Sequence, residues 1–330
     1  MNFSKAQQVD IYISQEIWMI FAPCYILLGT IGNLFVLIIF CKKCMHDVVN
    51  ATFMILSALV DFAILYTSLL AKWLKYTEII DWDLVPDLIC KLQLWLSTSF
   101  GMMEPWIVVV ITVQRGTMLL QPFRNLGVSK NVSNDLVKVF SMVMFIFLIN
   151  LHLMHGSFDG DVSVITFQRT YCYGNDSHYL LFLKKWEIAR VFFVLILPTG
   201  IFFVFDIVIV YQLKMCSCLG RSSRQETKPS SEVAHNASRS MKYILILNIV
   251  FLVTSFPTIF VTMKSPSETR DEAENFFLLT VTSLLLYTRN AAGFLAFIAS
   301  GKFRREVTKI YRNCKSNLFS PRNMIKPLEK

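Results

Sequence analysis

Four long apolar stretches of this sequence each carry one ionisable side chain: Asp61, Glu104, Asp206 and Arg289. In hydrocarbon an unpaired charge costs about 3 kcal/mol or more, so such residues mark a function and need named partners. A guanidinium can bind a carboxylate through two parallel hydrogen bonds, and intramembrane carboxylates also mark ion routes. The histidines offer less. His46, His152, His155, His178 and His235 form no His-Glu-x-x-His. His152 and His155, at i and i+3, lack the carboxylates of a metal centre and read as a structural pair. No metal site, cofactor or catalytic group is expected, and the chain does not read as an enzyme.

The elements that position these groups follow from composition. Of 330 residues, 54% are apolar, 17% are charged and 28 are Phe. A soluble domain carries about 25% charged residues, and no water-soluble interior of this size would hide so much apolar surface. Disorder, collagen and coiled coils are excluded. The net charge of +9 does not indicate nucleic acid, because the chain is too apolar for a polynucleotide binder. An all-α membrane protein remains. A helix needs about 20 residues to cross the hydrocarbon. Seven runs qualify or come close: Ile17–Phe40, Phe53–Ala71, Leu92–Val113, Val139–Met154, Val191–Leu213, Tyr243–Met263 and Phe276–Ile298. The fourth, at 16 residues, is the shortest.

An odd number of spans puts the termini on opposite sides. The connections after helices 1, 3 and 5 and the C-terminal tail hold 19 Lys and Arg, against eight on the other side. The basic side is expected to be cytoplasmic, with the N-terminus outside, at the plasma membrane. No cleavable signal peptide is evident. The chain divides into an outer N-terminus (1–16), a seven-helix domain (17–299) and an inner-face helix with a cytoplasmic tail (300–330). The Ser-rich inner loop 214–240 reads as flexible. Asn2 and Asn175 head sequons on the outer side. Cys90 and Cys172 are the one pair clearly outside and are the disulfide candidates. Cys314, after a basic amphipathic stretch, is a candidate for palmitoylation, with an unmodified thiol as the alternative.

Landmarks inside these runs resemble the rhodopsin-like (class A) G-protein-coupled receptors. Helix 1 has Gly32-Asn33, helix 2 Ser57-Ala58-Leu59-Val60-Asp61, helix 5 Pro198 and helix 6 Phe256-Pro257. Arg115 lies 25 residues after Cys90, where the family has the Arg of Asp-Arg-Tyr, and Pro122 follows seven residues later. Trp82 resembles the family's first-outer-loop Trp. Ser300-Gly301-Lys302-Phe303-Arg304-Arg305 looks like the start of its inner-face helix 8. The likeness runs over about residues 15–314. Departures are as plain: Gln114 stands before the motif Arg and Gly116 after it. Thr254-Ser255-Phe256-Pro257 replaces Cys-Trp-x-Pro, and the helix 4 Trp is missing. The Asn-Pro-x-x-Tyr of helix 7 is degraded. Asn290–Phe294 matches its first residue, but Gly293-Phe294-Leu295-Ala296-Phe297 sits better relative to helix 8.

The resemblance implies a receptor for an extracellular ligand that activates a heterotrimeric G protein, with arrestin and a receptor kinase as further partners. Amine receptors place Asp seven residues after the helix 3 Cys, where this chain has Ser97. Opsins need a Lys in helix 7, and none is present. What remains looks most like the invertebrate neuropeptide branch with FMRFamide-like receptors. Fourteen acidic residues on the outer side against eight basic ones suit a cationic peptide. Ser97, Trp82, Glu268, Asp271 and Glu272 are the residues expected to meet it. In the family Arg115 reaches the G protein when helix 6 swings out about the Pro257 kink. Gln114, Asp206 and Phe297 belong to the same switch, with Asp206 placed to offer Arg115 an acid from helix 5; the alternative is an Asp206 exposed to water near the inner mouth.

Asp61 resembles the family's sodium-pocket Asp, Glu104 falls where the family puts a small polar residue of that pocket, and Arg289 with Asn290 lies near the helix 7 residue that completes it. The resemblance therefore implies an ionic pocket in which Arg289 replaces sodium and binds one carboxylate in bidentate fashion, the other acid being protonated; the alternative is that Arg289 faces another cavity. The alternative function is a transporter or ion pathway, against which stand the absence of inverted repeats and the receptor landmarks.

Overall fold

In lipid no water serves the backbone N–H groups, so apolar runs of this length become helices, which pair every such group within their own segment. The computed structural model describes residues 5–41, 51–77, 79, 86–119, 132–154, 177–222, 245–258, 260–261, 272–295, 303–309 and 312, and side chains for most of them. All described elements are helical. They comprise α1 (Lys5–Phe40), α2 (Ala51–Tyr76), α3 (Asp87–Leu119), α4 (Val132–Ile149), α5 (177–222), α6 (Leu245–Thr258), α7 (Glu272–Ala292) and a short α8 (303–309). The chain is a multi-pass membrane protein built as a seven-helix bundle. Val9–Phe40, Ala51–Tyr76, Leu88–Gln114 and Leu181–Tyr211 are long and apolar enough to cross a membrane on their own. α4 and α7 are diluted by polar residues such as Asp135, Lys138 and Arg289.

Three boundaries differ from the sequence reading. α1 begins at Lys5, because Lys5–Glu16 contains neither Gly nor Pro and the helix propagates outward from the apolar run. α5 continues to Ser222, so residues 214–222 of the expected flexible loop are helical. The fourth helix starts earlier, at Val132, and its α-helical part ends at Ile149. There Asn150 turns its amide back onto the Ile146 carbonyl (2.8 Å), and a 3-10 turn, Leu151–Met154, completes the crossing.

Among the described residues two helices carry a π turn. In α2 it spans Leu65–Leu69, and the Thr67 carbonyl accepts from Gln93 Nε2 of α3 at 2.8 Å. In α5 it spans Phe192–Ile196, just before Pro198, whose missing N–H breaks the regular ladder.

The main core joins α1, α2, α3, α4 and α7 around Trp18, Phe53, Leu65, Met103, Ile107 and Tyr287. A second cluster, at the end where α1 finishes, sets Phe303 of α8 against Phe40, ring centres 6.0 Å apart. A third joins Val109, Phe202 and Phe251 of α3, α5 and α6. Outward side chains such as Phe203, Ile207, Val253 and Phe256 are apolar and exposed, as lipid contact requires.

α1 and α7 share a long seam among the described residues, and glycine permits their close approach. A Cβ on Gly29 would stand 2.3 Å from Leu65 Cδ1 and 3.0 Å from the Ala291 backbone. Three side-chain bonds fix this seam. Asn33 Nδ2 donates to the Asn290 carbonyl (3.1 Å), Thr288 Oγ1 to the Tyr25 hydroxyl (2.9 Å) and Trp18 Nε1 to Thr280 Oγ1 (3.3 Å). Gly29→Val should destabilise the fold by about 1–3 kcal/mol, because the Ala291 backbone cannot step aside. Gly200→Ala, with nothing within 4 Å of the new carbon, should be neutral or mildly stabilising. Thermal unfolding of both variants in nanodiscs checks the contrast.

Candidate functional site

Midway along the bundle, α3, α6 and α7 meet through one side chain. Arg289 of α7 forks onto Glu104 of α3, with Nε donating to Oε1 and Nη2 to Oε2. Its remaining nitrogen, Nη1, donates to Ser255 Oγ of α6 at 3.0 Å. The guanidinium lies over the Phe251 ring, 4.6 Å from its centre, and Phe251 in turn meets Phe202 edge-on at 5.1 Å. Side-chain exposure is 13% for Arg289 and 7% for Glu104, so water screens the pair little. A planar five-donor fork suits this place, because it meets a carboxylate, a hydroxyl and a ring face at once.

One residue further along α7, Asn290 Nδ2 donates to Asp61 Oδ1 of α2 at 2.8 Å. Asp61 is buried. Asp61, Glu104, Arg289 and Asn290 therefore occupy one interior region. Arg289 takes Glu104 as its bidentate partner, and an amide donor serves Asp61.

Towards the end of the bundle where α3 finishes, a polar relay crosses three helices. Thr112 Oγ1 of α3 donates to Asn248 Oδ1 of α6 (3.0 Å), and Asn248 Nδ2 donates to Asp206 Oδ1 of α5 (2.7 Å). Thr112 and Asn248 are fully buried. The described partner of Asp206 is thus Asn248. Arg115 lies one turn beyond Thr112 on the α3 backbone, with its side chain outside the described residues.

The other expected site residues are placed as follows. Pro257 is half-buried near the end of α6 and Gln114 half-buried near the end of α3. Ser97 Oγ donates to the Leu94 carbonyl of its own helix (3.1 Å). Glu272 begins α7, with its side chain undescribed. Asn2, Trp82, Cys172, Asn175, Glu268, Asp271, Phe297 and Cys314 lie outside the described residues. Cys90 is buried against Leu94 and Leu153, and the free cysteines among the described residues are Cys24 and Cys41. No group of three metal-binding side chains occurs among the described residues.

Ser255, Thr112 and Asn248 carry these networks and were not singled out from sequence. A signal existed for two of them: Asn248 and Ser255 are polar, seven residues apart and so on one face of an apolar helix.

The family described as 7 transmembrane receptor (rhodopsin family) matches residues 32–292, well over half of the chain. The chain belongs to the rhodopsin family of seven-transmembrane receptors. A search of curated proteins finds no match. Members of the family are signalling receptors rather than enzymes, and the four intramembrane charges belong to a receptor bundle.

Arg289→Gln should cost about 3–5 kcal/mol, because it leaves Glu104 buried without its cation. Arg289→Lys keeps the charge but loses the fork and the flat stacking surface, and should cost less. Thermal unfolding in nanodiscs gives the order; a Lys variant no more stable than the Gln variant would contradict it.

Proposed function

We propose that this receptor binds an extracellular cationic peptide of the neuropeptide class and activates a heterotrimeric G protein. Membership of the receptor family is the observation that carries the reading. The ligand class is supported by the absence of the amine and opsin signatures at Ser97 and in helix 7. It is supported further by the acidic excess of the outer connections. Such a surface raises the local concentration of an Arg-bearing peptide and speeds its arrival. Its path in would run past Trp82, Ser97, Glu268, Asp271 and Glu272.

In this reading the receptor sits in the plasma membrane with residues 1–16 outside and the segment from 300 onward inside, as the Lys and Arg distribution supports. Asn2 and Asn175 would carry glycans, and Cys314 a palmitoyl chain. A Cys90–Cys172 bond would tie the second outer loop to α3. Burial of Cys90, and its absence from the free cysteines, favour that role. Arg115, beside Gln114, would face the G protein, while Asp206, Pro257 and Phe297 would govern the opening of that face. Arrestin and a receptor kinase would act on the same inner surface.

Cells expressing the chain, screened against an amidated neuropeptide library, should yield an agonist that accelerates nucleotide exchange on a G protein. Arg115→Ala should reduce that exchange at least about tenfold while leaving peptide binding in place. Exchange undiminished in Arg115→Ala would remove Arg115 from the coupling role. Ion flux with no agonist-stimulated exchange would favour the transporter.

A further inference from the structure

We infer that α6 is held in its resting place by two polar clasps on one stripe of its surface, Ser255 bonded to Arg289 and Asn248 bonded to Asp206 and Thr112. The inference rests on the receptor reading and names how that receptor is kept quiet.

The composition of the inward face of α6 leads to it. Four α6 side chains are buried: Asn248, Phe251, Thr254 and Ser255. Phe251 is the one large apolar group among them, whereas Ile246, Ile249, Val250, Val253 and Phe256 are exposed to lipid. Apolar surface gains little by turning from lipid to protein, so interhelical polar bonds decide where such a helix rests. Thr254 bonds back to its own helix, at the Val250 and Phe251 carbonyls. Asn248 and Ser255 remain as the buried bonds to neighbouring helices on this stripe, and half-buried Thr258 adds a bond beside the Ser255 clasp, its Oγ1 donating to the Thr282 carbonyl of α7 at 3.2 Å. Asn248 and Ser255 lie seven residues apart, about 10.5 Å along the axis. Between them Phe251 lies under the guanidinium and against Phe202.

The two clasps differ in chemistry and in reach. At Ser255 the donor is Arg289, whose other nitrogens stay on Glu104, so α6 can release the hydroxyl while the ion pair persists. The ion pair is the fixed post, and Ser255 is the detachable end. At Asn248 one amide bridges the Asp206 carboxylate and the Thr112 hydroxyl, so outward movement of α6 breaks both bonds together. A ligand that shifts α7 reaches the first clasp. A partner entering between α3 and α6 at the opposite end reaches the second, one turn from Arg115.

The test uses the full chain in nanodiscs with spin labels on Cys41, exposed at the end of α1, and at Ile246→Cys, exposed on α6, the other free thiols replaced by Ser. Distance distributions and basal nucleotide exchange are read together. Ser255→Ala should raise the long-distance population and the basal exchange about fivefold, as loss of one hydrogen bond predicts, and Asn248→Ala, which removes two, should raise both further. The double variant should exceed either. Ser255→Thr, which keeps a hydroxyl, should retain the native distances and so separates the lost bond from lost packing. Unchanged distances in Ser255→Ala, Asn248→Ala and their combination would overturn the clasps. If the distances respond but no G protein exchanges nucleotide faster, the receptor reading falls and the clasps stand. If the native chain responds to agonist and the variants leave distances and basal exchange unchanged, the clasps fall and the receptor reading stands.

Discussion

A guanidinium enclosed by three helices, forked onto Glu104, is the constraint to which the rest of this bundle answers. Two opposite charges removed from water stabilise a fold only where geometry is good and the remaining donors are used. Arg289 meets that condition: two nitrogens serve Glu104, a third serves Ser255 and the flat face rests on Phe251. The resemblance to the family is broken at the same place. Where relatives carry the Trp of Cys-Trp-x-Pro, this chain has Ser255, buried to 1% exposure and small enough to admit the guanidinium. One substitution in helix 6 and one charge in helix 7 thus form a single physical change.

Aiming Arg289 requires a fixed α7, and the α1 seam supplies it. Gly29 lets α7 approach, and the bonds from Asn33, Thr288 and Trp18 set its height and rotation. Consecutive residues on a helix point about 100° apart. Arg289 therefore turns to Glu104 of α3 while Asn290 turns to Asp61 of α2. Towards the end of the seam where α1 begins, the ammonium of Lys72 lies 5.0 Å from the Trp18 ring centre and 5.2 Å from that of Tyr287. α7 is thereby tied to α1, α2, α3 and α6, which lets a displacement at one end be felt by the others.

The helices were legible in the sequence because hydrocarbon imposes a length and a composition on anything that crosses it. Their ends were not, since a helix continues into a connection until a residue stops it: α5 to Ser222, α1 back to Lys5. The fourth span shows the same limit, because Asn150 ends its regular part by bonding its own helix, a local event that hydropathy does not record. In the interior, the charged residues announced themselves as single ionisable groups in apolar runs. Ser255, Thr112 and Asn248 did not, because uncharged polar residues are common in membrane helices and a role emerges only when a neighbouring helix supplies a partner.

The most direct test of the central ion pair is a double-mutant cycle on unfolding in nanodiscs, with Arg289→Gln, Glu104→Gln and both together. If the guanidinium and the carboxylate compensate one another, each single change strands a buried charge and the double change strands neither. The cycle should then give a coupling of about 2–3 kcal/mol, with the double variant more stable than Arg289→Gln alone. Additivity within about 0.5 kcal/mol would contradict the account, because it would mean that Arg289 and Glu104 hold their places independently.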